Sequence, residues 1–203
     1  MKKLAFYLFL GVSLVCLSGC VNRSSFPTVP APKEDKNAPI KDKDYTGNNL
    51  QKATQAFKNN DCEASVRYLE IACDEEVSMQ ACYQLGNMYD KAKCAEKSDI
   101  KARPYYQKAC DGGNLNACMN LASFYKDGRG GAKNEEMAVE LNKKACSGNI
   151  AKACNNVGYF YHNGKGVDLD RTEARKYFKK ACELDPDGKC YYKKREGEGA
   201  VKA

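Results

Sequence analysis

Apolar residues are spaced in three different ways along the chain. Leu4 to Leu17 is an almost unbroken apolar run headed by Lys2 and Lys3. It is shorter than the ~20 residues of a permanent membrane span and has the layout of an export signal. From residue 21 to 45 large apolar groups become scarce. Pro27, Pro30, Pro32 and Pro39 alternate with Lys and Asp there. Such a stretch cannot bury enough surface to fold, and its prolines favour extended backbone, so it reads as a tether. Beyond it, apolar positions recur at intervals of three, four and seven, the spacing of one helix face.

That third region repeats. Lys-Ala-Cys stands at 108–110, 144–146 and 180–182, and a second cysteine series runs Cys82, Cys118, Cys154 and Cys190 at the same 36-residue interval. Alignment on the second cysteine exposes a helix after it. One residue before it come Ala81, Ala117 and Ala153. Three after it come Leu85, Leu121 and Val157, and four after it Gly86, Ala122 and Gly158. Seven after it come Tyr89, Tyr125 and Tyr161. The small residues would let a neighbouring helix approach closely. A second helix precedes each first cysteine, marked by Tyr68, Tyr105, Leu141 and Tyr177 with Ala72, Ala109, Ala145 and Ala181 four residues later. Gly128-Arg129-Gly130 and Gly164-Lys165-Gly166 end the post-cysteine helices and turn the chain. Ala53, Ala56 and Phe57 are the expected face of a related helix in a shortened first unit. Pro104 lies inside the second pre-cysteine helix, where a late start or a kink is expected.

Twelve cysteines stand against one histidine, His162. Zinc sites favour closely spaced pairs, often with histidine, and no C-x₂-C occurs, so no metal is expected. An exported chain meets oxidising surroundings, which favours disulfides. The pairs Cys73–Cys82, Cys110–Cys118, Cys146–Cys154 and Cys182–Cys190 would each clip one helix end to the next helix start. Cys16 lies in the signal. Cys62 and Cys94 remain, five residues after Phe57 and Tyr89 respectively, at what reads as the same place in adjacent turns. Their bond would staple the first unit to the second.

Two resemblances follow from these motifs. Leu17-Ser18-Gly19-Cys20 resembles the lipobox of bacterial lipoproteins, which implies cleavage before Cys20 and a lipid on its thiol. Val21 rather than aspartate follows, which by that family's sorting pattern implies the outer rather than the inner membrane. The array of Ala-rich helix, tyrosine, Gly-x-Gly turn and Lys-Ala closure resembles Sel1-like repeats over about residues 45–195. The cysteine pair per unit resembles the Helicobacter cysteine-rich protein family. After Cys190 the pattern fails: Lys193 and Lys194 stand where Leu and Gly belong, as in a polar end-cap. The resemblance implies an all-α fold, an α/α solenoid of disulfide-clipped helical hairpins. The expected organisation is signal 1–19, lipidated Cys20 and tether 20–45, solenoid 46–195 and a flexible tail 196–203. The location it implies is the cell envelope, periplasmic or surface-facing.

The cysteine-rich family is also associated with penicillin binding and weak β-lactam hydrolysis. Two S-x-x-K matches, Ser98…Lys101 and Ser123…Lys126, are the candidate catalytic residues. The supporting S-D-N and K-T-G motifs are missing: Ser98-Asp99 is followed by Ile100. Ser98 also suits a helix N-cap, and Ser123 aligns with Asn87 and Tyr159 at an open helix position. Metallo-hydrolysis would need more than one histidine. The lysine pairs 143–144 and 179–180 read as solvated helix faces.

A formal charge of +7 falls to +5 once Lys2 and Lys3 are cleaved. No basic cluster interleaves with aromatics, so nucleic acid is not an expected partner. No cofactor is expected. The sequence points to a monomeric binding module whose groove, lined by Asn87, Ser123 and Tyr159, takes a peptide, a protein or a peptidoglycan-derived ligand, and whose membrane contact is the lipid anchor.

Overall fold

The computed structural model describes residues 47–187. The signal and tether, Cys20, the tail and Cys190 lie outside the described residues. Eight α-helices follow one another, with no strand among the described residues: α1 (Asn49–Lys58), α2 (Cys62–Asp74), α3 (Met79–Lys91), α4 (Asp99–Asp111), α5 (Leu115–Asp127), α6 (Glu135–Ser147), α7 (Ala151–Asn163) and α8 (Arg171–Leu184). None of them is long and apolar enough to cross a membrane.

Local chemistry fixes the helix ends. Asn48, Asp61, Ser78, Ser98, Asn114, Asn134 and Asp170 each accept a backbone N–H of the first turn through their side chains. Ile150 alone gives α7 no side-chain cap. Gly128 and Gly164 close α5 and α7 in the left-handed region, where glycine has no Cβ to clash. Ala92 takes that place after α3, at φ 52°.

Successive helices pack as hairpins, α1 on α2, α3 on α4, α5 on α6 and α7 on α8, and each hairpin stacks on the next. The main contact between helices not adjacent in sequence joins α3 to α5. The odd-numbered helices therefore form the inner side of the stack. The core is a continuous ribbon of Ala, Leu, Val and aromatic groups that includes the buried cysteines of the hairpins. Each unit buries little alone, so neighbour-to-neighbour packing carries the stability of such an array.

Bonds join Cys73 to Cys82, Cys110 to Cys118 and Cys146 to Cys154, each between the end of an even helix and the start of the next odd one. Cys182 is also disulfide-bonded. Cys62 is bonded to Cys94.

Four expectations change. α4 starts at Asp99 on the common register despite Pro104, so there is no late start. Cys62 is the first residue of α2, the place of Asp99 in α4, whereas Cys94 lies in the turn after α3; the two are not equivalent, because the first turn is only three residues long. Ala53 and Ala56 are buried as the pattern requires, but Phe57 is 43% exposed. Lys144 and Lys180 are not simply solvated. Each donates to a main-chain oxygen of the preceding even helix, Lys144 to Cys110 at 2.9 Å and Lys180 to Cys146 at 3.1 Å.

Candidate functional site

The inner face is built by equivalent positions of α3, α5 and α7. Asn87, Ser123 and Tyr159 share one register position, five residues after the cysteine of each helix. Asn87 is half-buried, and its Oδ1 accepts from the Tyr106 hydroxyl at 2.9 Å and from Asn120 Nδ2 at 3.4 Å. Ser123 is half-buried on α5. Tyr159 is 43% exposed, stands edge-on to Phe160, and its hydroxyl lies 3.4 Å from Lys165 Nζ. The three groove candidates thus hold equivalent positions on α3, α5 and α7.

A polar cluster that the sequence pattern does not single out sits beside them. Asp90, at the end of α3, is buried, and its carboxylate accepts from Tyr106 at 3.2 Å and from Arg129 at 2.5 Å and pairs with Lys91 at 2.7 Å. Arg129 also forks onto Asp99, and its guanidinium lies 4.1 Å from the centre of the Phe124 ring. Burial alone would raise the Asp90 carboxyl, but hydrogen bonds and charge from Lys91 and Arg129 hold it below its usual 3.8. Burial, reinforced by Asp90, pushes the Tyr106 phenol up, so it stays a donor. The Asp99 hydrogen bond outweighs burial and keeps Arg129 protonated. Arg129 was visible as the middle of a Gly-x-Gly turn. Asp90 carried no signal, because Lys126 and His162 hold its position in the next units.

Next to this cluster, a groove of about 220 Å³ opens between α1 and α3. Ala53, Phe57 and Met88 give it an apolar lining, Gln84, Asn87 and Lys93 supply polar groups, and Ser65 of α2 also lines it.

The S-x-x-K residues do not assemble a nucleophile with its base. Ser98 Oγ accepts the Lys101 N–H as the cap of α4. Lys126 Nζ faces Asp127 at 3.4 Å, and Ser123 lies on α5, a different helix from the one Ser98 caps. Among the described residues no group of three His, Cys, Asp or Glu could hold a metal ion.

The recurring hairpin and its 36-residue register are matched by the Sel1 repeat profile at residues 80–114, 115–150 and 151–186. The chain belongs to the Sel1 repeat family. Among solved structures, a Sel1 repeat protein from Oxalobacter formigenes is 29% identical at a TM-score of 0.60, covering 68% of this chain and 55% of its own. Helicobacter pylori cysteine rich protein B is 31% identical at a TM-score of 0.50, covering 63% of this chain and 90% of that one. A protective antigen of uropathogenic Escherichia coli with an SLR fold superposes at a TM-score of 0.62 over 66% of this chain and 30% of its own; at 21% identity it shows the fold alone. This chain spans about half the length of the Oxalobacter protein and under a third of the E. coli antigen. No curated protein sequence matches. Sel1 repeats are generally protein-interaction modules.

Proposed function

We propose that this Sel1 repeat protein is an envelope receptor for an extended peptide, a protein segment or a peptidoglycan-derived ligand, held at the outer membrane by lipid on Cys20. The observation that carries the reading is the inner face. The hairpin core repeats from unit to unit, while the inward position varies from Asn87 to Ser123 to Tyr159. A repeated scaffold with a varied inner stripe is how solenoids build an extended binding surface. The lipobox-like Leu17-Ser18-Gly19-Cys20 and the proline-rich stretch after it support the anchor. Several acyl chains on one residue exceed the single-chain threshold for stable anchoring.

Selection of displayed peptides on the oxidised protein tests the binding reading. Enriched peptides should bind Tyr159→Ala and Ser123→Arg variants at least tenfold more weakly. Peptides that bind both variants unchanged, or a selection with no enrichment, would remove the inner face from the proposal. Metabolic labelling with palmitate tests the anchor: label should enter the chain and vanish in Cys20→Ala.

A further inference from the structure

We infer that the Cys62–Cys94 bond exchanges with a dithiol reductant, and that its opening turns the joint between hairpins α1–α2 and α3–α4 into a hinge on the buried Cys73–Cys82 bond. Nothing in this depends on what the inner face binds.

Helices α2 and α3 are crosslinked at both ends. Cys73, the twelfth residue of α2, is bonded to Cys82, the fourth of α3. Cys62, the first residue of α2, is bonded to Cys94, three residues past the end of α3. The next two joints have one bond each, Cys110–Cys118 and Cys146–Cys154. At their other ends Gly130 and Gly166 take the place of Cys94, twelve residues after the second cysteine of the unit. Among the described residues a second covalent hold is therefore peculiar to the first joint.

The two bonds at that joint differ in access. Cys73 and Cys82 are fully buried, as are Cys110, Cys118 and Cys154, and Cys146 is 1% exposed. Cys62 and Cys94 are only half-buried. Exchange begins with attack of a thiolate on a disulfide sulfur. A reductant reaches Cys62–Cys94 in the folded chain, whereas the buried bonds become accessible only after local opening. Cys182 is half-buried as well, but its bond holds no described helix to another. Charge does not favour or protect the staple: Lys93 and Lys97 on the turn stand against Glu96 there and against Asp61 and Glu63 at the head of α2. Access decides.

The dithiol is the only co-reactant needed. Its thiolate attacks one sulfur of the pair, the Sγ–Sγ bond breaks, and the electron pair leaves on the other sulfur, which takes up a proton. The second thiol of the reductant then displaces the mixed disulfide. The protein gains two thiols and the reductant becomes a disulfide.

Cutting the bond leaves no glycine seam behind it. Cys94 holds φ 60°, close to the 64° and 63° of Gly130 and Gly166, but it carries a side chain where they have none. Ala92, at φ 52°, is held in the same region. Once the link is gone, both are free to leave a conformation that suits glycine. At the far end Cys73–Cys82 stays, and the Ser78 N–H still donates to the Ala72 carbonyl at 2.8 Å. The α1–α2 hairpin then swings about that end and does not detach.

The test is disulfide mapping with hydrogen exchange on the purified oxidised chain, without denaturant. The chain is treated with dithiothreitol, and separately with reduced thioredoxin, and quenched with iodoacetamide at intervals. Peptide mass mapping should find Cys62 and Cys94 alkylated at least tenfold faster than any of the six buried cysteines. In the product so alkylated, amide exchange should rise at least tenfold in α1 and α2 and stay within about twofold in α5, α6 and α7. Opening by dithiothreitol but not by thioredoxin keeps the site and assigns it to small dithiols. Alkylation of any buried cysteine as fast as Cys62, or no opening by either reagent, overturns the exchange site. Unchanged exchange in α1 and α2, or a rise spread over the whole chain, overturns the hinge.

Discussion

The ring of Tyr106 occupies the space that a Cβ on Gly86 would need: one built there would lie 2.6 Å from the ring. Phe178 stands in the same relation to Gly158, also at 2.6 Å. The middle hairpin solves the same packing problem in reverse, with Ala122 facing the place held by the smaller Asn142. Gly86→Ala should therefore cost about 2 kcal/mol by overpacking. Asn142→Tyr should cost a similar amount. Combined with Ala122→Gly it should cost less than the sum of the singles, by about 1 kcal/mol. Urea unfolding of the four-member cycle measures this, and strict additivity would contradict the pairing.

Lys144 links one unit to the one before it. Carbonyls at a helix C-terminus lack intrahelical partners and carry the negative end of the dipole. Lys144 brings a cation and a donor to that end of α4 through the Cys110 oxygen, and Lys180 does the same for α6. In the second unit Lys108 instead meets the Asp74 carboxylate at 2.9 Å. Lys144→Met should lower stability by about 1 kcal/mol. Glu140→Gln, which removes the exposed partner of half-buried Lys143, should change it by less than about 0.5 kcal/mol. Equal effects in urea titrations would reduce Lys144 to a surface charge.

How far these relations could be read from the chain depends on repetition. The hairpins, the caps and the cysteine pairing from one hairpin to the next recur at a fixed interval, so residues such as Leu85, Leu121 and Val157 reinforce one another. The Gly86–Tyr106 and Lys144–Cys110 contacts also recur, but the spacing shows only that the positions matter, not what they touch. Asp90 meets Arg129 across 39 residues in one unit only, and no periodicity can announce a contact made once. Spacing misplaces Cys62 for a related reason. Counting from Phe57 assumes a turn of constant length, and the first turn is short. Phe57 belongs to a helix face that is apolar by pattern yet is 43% exposed.

Acid should act on the Asp90 cluster. Its carboxyl is held below 3.8 in the folded chain, so its contribution is fully present above that pH and is lost as pH falls through the lowered value. Asp90→Asn should cost about 2 kcal/mol at pH 7, since Arg129 would lose a buried partner. The gap between variant and wild type should narrow below pH 4. Urea midpoints at pH 7, 4 and 3 check this, and a constant gap would deny Asp90 its role.

The Cys62–Cys94 bond takes the place of a backbone contact used elsewhere. A Cβ on Gly130 would come within 2.3 Å of the Asp99 oxygen, and one on Gly166 within 2.4 Å of the Glu135 carbonyl carbon. Later units therefore press glycine against the head of the preceding even helix, where the first link uses a covalent bond. In the chain-entropy treatment, Cys62→Ser/Cys94→Ser should cost roughly 3.7 kcal/mol and Cys110→Ser/Cys118→Ser roughly 2.5 kcal/mol. Cys62→Ser/Cys94→Gly should be less damaged than the double serine by about 1 kcal/mol, because φ 60° at Cys94 suits glycine. Calorimetry of the three oxidised variants gives the order, and a serine pair as stable as wild type would leave the staple without a stabilising role.

The lysine that reaches back to its neighbour's carbonyl makes the array divisible. Removing residues 115–150 would join Asn114 to Ala151 and bring Lys180 to the Cys110 oxygen in the geometry that Lys144 now has. It would carry Lys165 to the place of Arg129, opposite Asp90, and give α7 the capping asparagine it now lacks. Such a chain can gain or lose whole units by recombination without opening an unmatched seam. Its length, and with it the reach of its inner face, can change in a single genetic event.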